Sequence, residues 1–102
     1  MIFRRARFAT VIETQLDLFV RDRRDVLDEV DARLRAYNQA GRDEAEELYG
    51  DYVDAVESGT ELLSDVRDHY ASTLDDAARY IDEFNRAVAR LLPELALEIE
   101  NR

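Results

Sequence analysis

The chain has 102 residues with no Cys, one Pro and three Gly, and its 24 acids against 14 bases give a net charge of -10. A chain of this size supports one modest core and not two independent domains. Its charge argues against nucleic acid or an anionic membrane as partner. Without Cys there are no disulfides, thiolate metal sites or cysteine nucleophiles, and a composition 46% hydrophobic and 37% charged is that of long helices, so an all-α fold is expected.

The chain opens on the basic segment Met1-Ile2-Phe3-Arg4-Arg5-Ala6-Arg7-Phe8, after which Glu13 and Asp17 interrupt any signal-peptide core. No apolar run approaches the roughly 20 residues that span a bilayer, so a cytoplasmic location with no transmembrane segment is the expectation. Arg4, Arg5 and Arg7 with Phe3 and Phe8 could touch phosphate or a membrane surface. Charge balance offers a simpler role. Residues 1–42 hold nine Arg against seven acids, a net +2, whereas residues 43–102 hold five Arg against seventeen acids, a net -12. The two halves should attract each other.

From Phe8 the apolar residues Ile12, Leu16, Phe19, Leu27, Val30 and Leu34 recur at helical spacing, broken only at Arg23, which predicts a first helix over about 4–37. Charges at i,i+4, such as Arg21/Asp25, Arg24/Asp28 and Glu29/Arg33, suit a solvated outer face. Asn38-Gln39-Ala40-Gly41 looks like a stop, with Gly41 in the left-handed position and a turn over 38–42. Asp43 and Glu46 then read as a capping box opening a second helix over about 43–92.

That second segment carries a seven-residue repeat, Tyr49, Val56, Leu63, Tyr70, Ala77, Phe84 and Leu91. It is flanked by Tyr52, Val53, Val66, Leu74, Ile81, Val88 and Leu95. Gly59, between Ser58 and Glu61, is a weak point at which the helix is expected to run on or bend mildly, since the repeat keeps its phase. Pro93 disfavours helix at Leu92, so a kink there, or a restart with Pro93 as first residue of a short helix or tail over 93–102, is expected.

Helices of about 34 and 50 residues would measure roughly 50 and 75 Å. A hairpin turning near residue 40 therefore leaves the far part of the second helix bare. Tyr70, Ile81, Phe84, Val88, Leu91 and Leu95 are the expected interface, and the expected architecture is an all-α antiparallel hairpin of two long helices that assembles into a helical bundle. Exposing such a stripe is costly in water. The expected function is non-enzymatic, as a self-associating or partner-binding module, with a homo-oligomer (dimer) or another helical protein as partner and no nucleic acid.

Chemistry-bearing groups are sparse. Glu61, Asp65 and His69 share one helical side at i, i+4, i+8, a spacing able to ligate a divalent ion, but the sequence has no Glu-x-x-His pair of the kind that builds a di-iron site. No metal and no cofactor are expected. Neither a nucleophile–base pair nor a glycine-rich phosphate loop is present. The tyrosines Tyr49, Tyr52, Tyr70 and Tyr80 suit packing with a polar tip at the rim. Acidic pairs three residues apart, Glu44/Glu47, Asp51/Asp54 and Asp65/Asp68, are faintly similar to those of all-α nucleotide pyrophosphohydrolases of the MazG type, where paired Glu and Asp residues hold magnesium. Asp51 stands where that motif's third Glu is expected. The resemblance covers about 25 residues and implies, as the alternative function, a metal-dependent hydrolase using Glu44, Glu47, Asp65 and Asp68.

Overall fold

The computed structural model describes residues 7–102, so Phe3, Arg4 and Arg5 of the basic segment lie outside the described residues. Within them the chain is all-helical: α1 (Ala9–Asp22), α2 (Arg24–Asn38), α3 (Ala45–Ala71), α4 (Ala77–Leu91), a 3-10 turn (Pro93–Leu95) and α5 (Ala96–Glu100). No described helix is long and apolar enough to cross a membrane.

The spacing of Ile12, Leu16 and Phe19 puts all three on the buried face of α1. Between Phe19 and Val30 no residue is fully buried, and the polar run Asp22-Arg23-Arg24-Asp25 is exposed. There the expected single helix divides. Arg23 leaves helical geometry (φ -117°, ψ 37°), while its N–H still reaches Phe19 O at 2.8 Å and α2 restarts at the next residue.

The turn between α2 and α3 differs in its chemistry from the expectation. No described residue has a positive φ, so Gly41 is not a left-handed cap. Its carbonyl instead accepts the N–H groups of Glu44 and Ala45 at 3.1 Å, and α3 opens at Ala45 without a side-chain cap, so the Asp43/Glu46 capping box is not formed. Helix α3 runs unbroken through Gly59, where packing explains the glycine. A Cβ there would lie 3.1 Å from Val26 Cγ1 and 3.7 Å from Leu95, so its absence lets α2 and the C-terminal segment close onto α3. Buried Thr60 returns its hydroxyl to Val56 O at 2.7 Å.

The expected continuation of this helix to residue 92 is corrected by the structure. Helix α3 ends at Ala71, where Ser72 Oγ and Thr73 Oγ1 donate to the carbonyls of His69 and Tyr70, each at 2.7 Å. These hydroxyls compete with the helical ladder, and the chain reverses over 72–76. Helix α4 then folds back onto α3 and α1. The overhang that argued for a partner is thereby covered within the chain: Phe84 and Val88 are fully buried.

Tyr80 sits at the centre of this end, its ring 5.5 Å from Phe8, 5.0 Å from Tyr70 and 5.8 Å from Phe84 between centroids, and its hydroxyl donates to Gln15 Oε1 at 2.7 Å. Arg7 meets Asp76 at 3.0 Å and the Phe8 N–H donates to Glu83 at 2.9 Å, joining the start of the described chain to α4. Pro93 opens the 3-10 turn, as the sequence suggested, and α5 returns along α3. Buried Arg67 fixes it there. Its Nη1 donates to Ile99 O at 2.9 Å and to Asn85 Oδ1 at 3.0 Å, and its Nε to Asp68 at 2.8 Å. A guanidinium removed from water is costly, and these bonds, one to a carbonyl in the last turn of α5, offset that cost.

Candidate interaction surface

Of the six residues expected at an interface, Phe84, Val88 and Leu95 are buried within the chain, and Tyr70 and Ile81 are half-buried against the core. Leu91 is the exception, with 54% of its surface exposed at the end of an otherwise well-packed helix. Once α4 lies against α1 and α3, Tyr80, Phe84, Ala87 and Val88 face inward, and Leu91 shares their side of the helix but stands at its last residue, where it is left open.

Helices α1 and α4 lie parallel: Phe8 meets Tyr80 and Glu83 near their starts, while Leu16 and Leu91 line the same depression further along. Two shallow depressions, of about 230 and 240 Å3, share Leu91. The first is lined by Ala9, Ile12, Glu13 and Leu16 against Glu83, Arg86, Ala87 and Arg90. The second continues along Val20, Arg24, Leu27 and Asp31, opposite Leu92 and Glu94. On the α1–α2 side these positions run from residue 9 to residue 31 across the break at Arg23, a span of at most about 33 Å. The result is an apolar furrow with Leu91 on its α4 wall.

Its charged rim is partly committed within the chain. Glu83 accepts from the Phe8 N–H and from Arg79, and Arg86 pairs with Asp82 at 3.1 Å. The furrow was missed in the sequence because its two walls come from segments far apart in the chain. Leu91 alone was signalled, by the seven-residue repeat. Arg67 was missed as well, although its place four residues after Leu63, on the line Val56, Thr60, Leu63, Arg67 and Ala71, marks a cation within a buried stripe.

The candidate metal ligands are placed apart. Glu61, Asp65 and His69 are exposed on α3, and among the described residues no three His, Asp or Glu side chains converge to hold a metal ion. Glu44 and Glu47 stand at the beginning of α3 and Asp65 and Asp68 near its end, separated by about 20 residues or roughly 30 Å of helix. Comparison with protein-family models, with known proteins and with solved structures found no match.

Proposed function

We propose that this chain is a non-enzymatic helical interaction module that accepts a partner helix in the furrow between α1–α2 and α4. The observation that supports this reading is Leu91, a large aliphatic side chain left 54% exposed within an apolar furrow rather than as an isolated surface residue. An amphipathic helix laid into such a groove buries its apolar stripe against the floor and keeps its polar side in water. Nothing in the reading requires a reacting group.

The test is amide NMR of the chain titrated with a designed 22-residue amphipathic peptide carrying a Leu/Ala stripe and uncharged Gln flanks. Shifts concentrated at Leu16, Val20, Leu27, Ala87 and Leu91, and abolished by Leu91→Asp, are expected. Shifts spread over the α2–α3 turn instead, or no saturable shifts at millimolar peptide, would contradict the proposal.

A further inference from the structure

The furrow also carries charge of both signs in nearly equal number. Its rim holds Arg24, Arg86 and Arg90 against Glu13, Asp31, Glu83 and Glu94, in a molecule of net charge -10. The groove between α2 and α3 holds Asp25, Glu29, Asp51 and Asp54 against Arg33, and the depression beside Tyr70 holds Asp65 and Asp68 with His69. The depression beside Leu18 pairs Asp22 with Arg23. Two copies would repel across the first two and not across the furrow.

The order of groups along the furrow adds a second argument. A two-fold contact requires the surface to complement itself. Since α1 and α4 run parallel, with Leu16 and Ala87 lining one depression and Val20 and Leu91 lining the next, we place an in-plane axis at the level of residues 18–19 of α1 and about residue 90 of α4. Rotation about that axis lays α1 antiparallel to its own copy and α4 likewise. Glu13 then faces Arg24 of the second copy, Arg86 faces Glu94, and the apolar pairs Leu16/Val20 and Ala87/Leu91 face each other. One axis satisfies all of these correspondences. Arg90 lies nearest the axis, and Asp31 and Glu83 lie towards the ends of the contact, where this rotation brings no opposite charge to them. The α1–α2 wall, up to about 33 Å long, and the α4 wall over residues 83–94, about 17 Å, each roughly 10 Å wide, would bury on the order of 1,000 Å2 over both copies, the lower limit for a specific contact.

We infer that the occupant of the furrow is a second copy of this chain, docked antiparallel about a two-fold axis beside Leu91 to form a four-helix layer of α1 and α4 from each protomer. The inference rests on the docking proposal above and goes further by fixing occupant and register.

Sedimentation equilibrium of the full chain between about 1 and 500 µM in 150 mM NaCl tests it, since at that ionic strength charges more than ~8 Å apart are largely screened and the local pairs decide. A monomer of 11.9 kDa passing to a dimer with rising concentration is expected. Leu91→Asp should abolish the dimer, whereas Leu97→Asp, 70% exposed and outside the furrow lining, should leave it intact. Glu13→Arg should weaken it by about tenfold, because the reversed charge meets Arg24 twice by symmetry. Adding Arg24→Glu to Glu13→Arg should restore the parent affinity. A monomeric mass at every concentration, a dimer indifferent to Leu91→Asp, or a double variant no tighter than Glu13→Arg alone would overturn the inference. If the mass stays monomeric while the Gln-flanked peptide still shifts the furrow amides, the second copy is wrong and the docking proposal survives. If the peptide fails too, both fall.

Discussion

The two ends of this molecule are built from the same kind of amphipathic helix and differ in how many helices meet. At one end α1, the second half of α3, α4 and the C-terminal segment surround Leu16, Leu63, Tyr80, Phe84, Val88 and Ile99. At the other, α2 and the first half of α3 pair alone, and no residue between Asp31 and Ala55 is fully buried. That arm is held by half-buried Leu34, Tyr37, Leu48 and Tyr52, with ring contacts of 5.2 Å between Tyr37 and Tyr49 and 6.3 Å between Tyr49 and Tyr52. Helix α4 at the packed end is the most strongly one-sided, but α1 there and α2 in the arm are alike in this respect. Two helices can hide only a stripe from water, whereas a third and fourth close the stripe into a core.

The largest expected effect is at the packed end. Phe84→Ala removes a fully buried ring and leaves a cavity, and should cost about 3–5 kcal/mol of unfolding free energy. Urea denaturation measures this, with Asp82→Ala on the exposed side of the same helix expected within about 0.5 kcal/mol. Equal losses in the two variants would mean that α4 is not packed as described.

A titration sharpens the same contrast. Burial pushes the Tyr80 hydroxyl up to about 12, and Tyr70 and Asp68 push the same way, while the charge of Arg67 pulls it down. In the unfolded chain a tyrosine ionises near 10. Between these values the unfolded state has lost its proton and the folded state has kept it. The native state binds more protons, and stability falls as pH rises. The loss from this residue should be about 2–3 kcal/mol, complete near pH 12 and absent below about pH 9. Urea midpoints across that range should decline more gently in Tyr80→Phe than in the parent. A slope as steep in the variant would assign the loss to other groups.

The smallest effect is expected in the arm. Tyr37→Ala removes a half-buried ring and should cost about 1 kcal/mol or less, appearing mainly as faster amide exchange from about residue 33 to residue 52 with little change in the global midpoint. A loss comparable to that of Phe84→Ala would erase the distinction between the two ends.

The sequence by itself determined that the chain is all-helical, that Ile12, Leu16 and Phe19 share a helical face, that a turn lies near residue 40, and that the helix is interrupted at Pro93. These follow from local chemistry: helical spacing of apolar residues, weak helix formers at a turn, and a ring nitrogen that cannot donate. The reversal at 72–76 was not read, because Tyr70, Ala77 and Phe84 keep their seven-residue phase across it. Apolar periodicity reports which residues seek burial and not whether the helix between them continues. The Ser72-Thr73 hydroxyls and the Asp75-Asp76 pair were the local signal, and a five-residue turn that preserves the phase concealed it. Only the tertiary structure decided that Phe84 and Val88 face inward, that Arg67 is sealed beneath α5, and that Leu91 stays outside beside residues some 70 positions away. Each depends on which faces of distant segments meet, and that is set by the competition among all apolar faces for the same core.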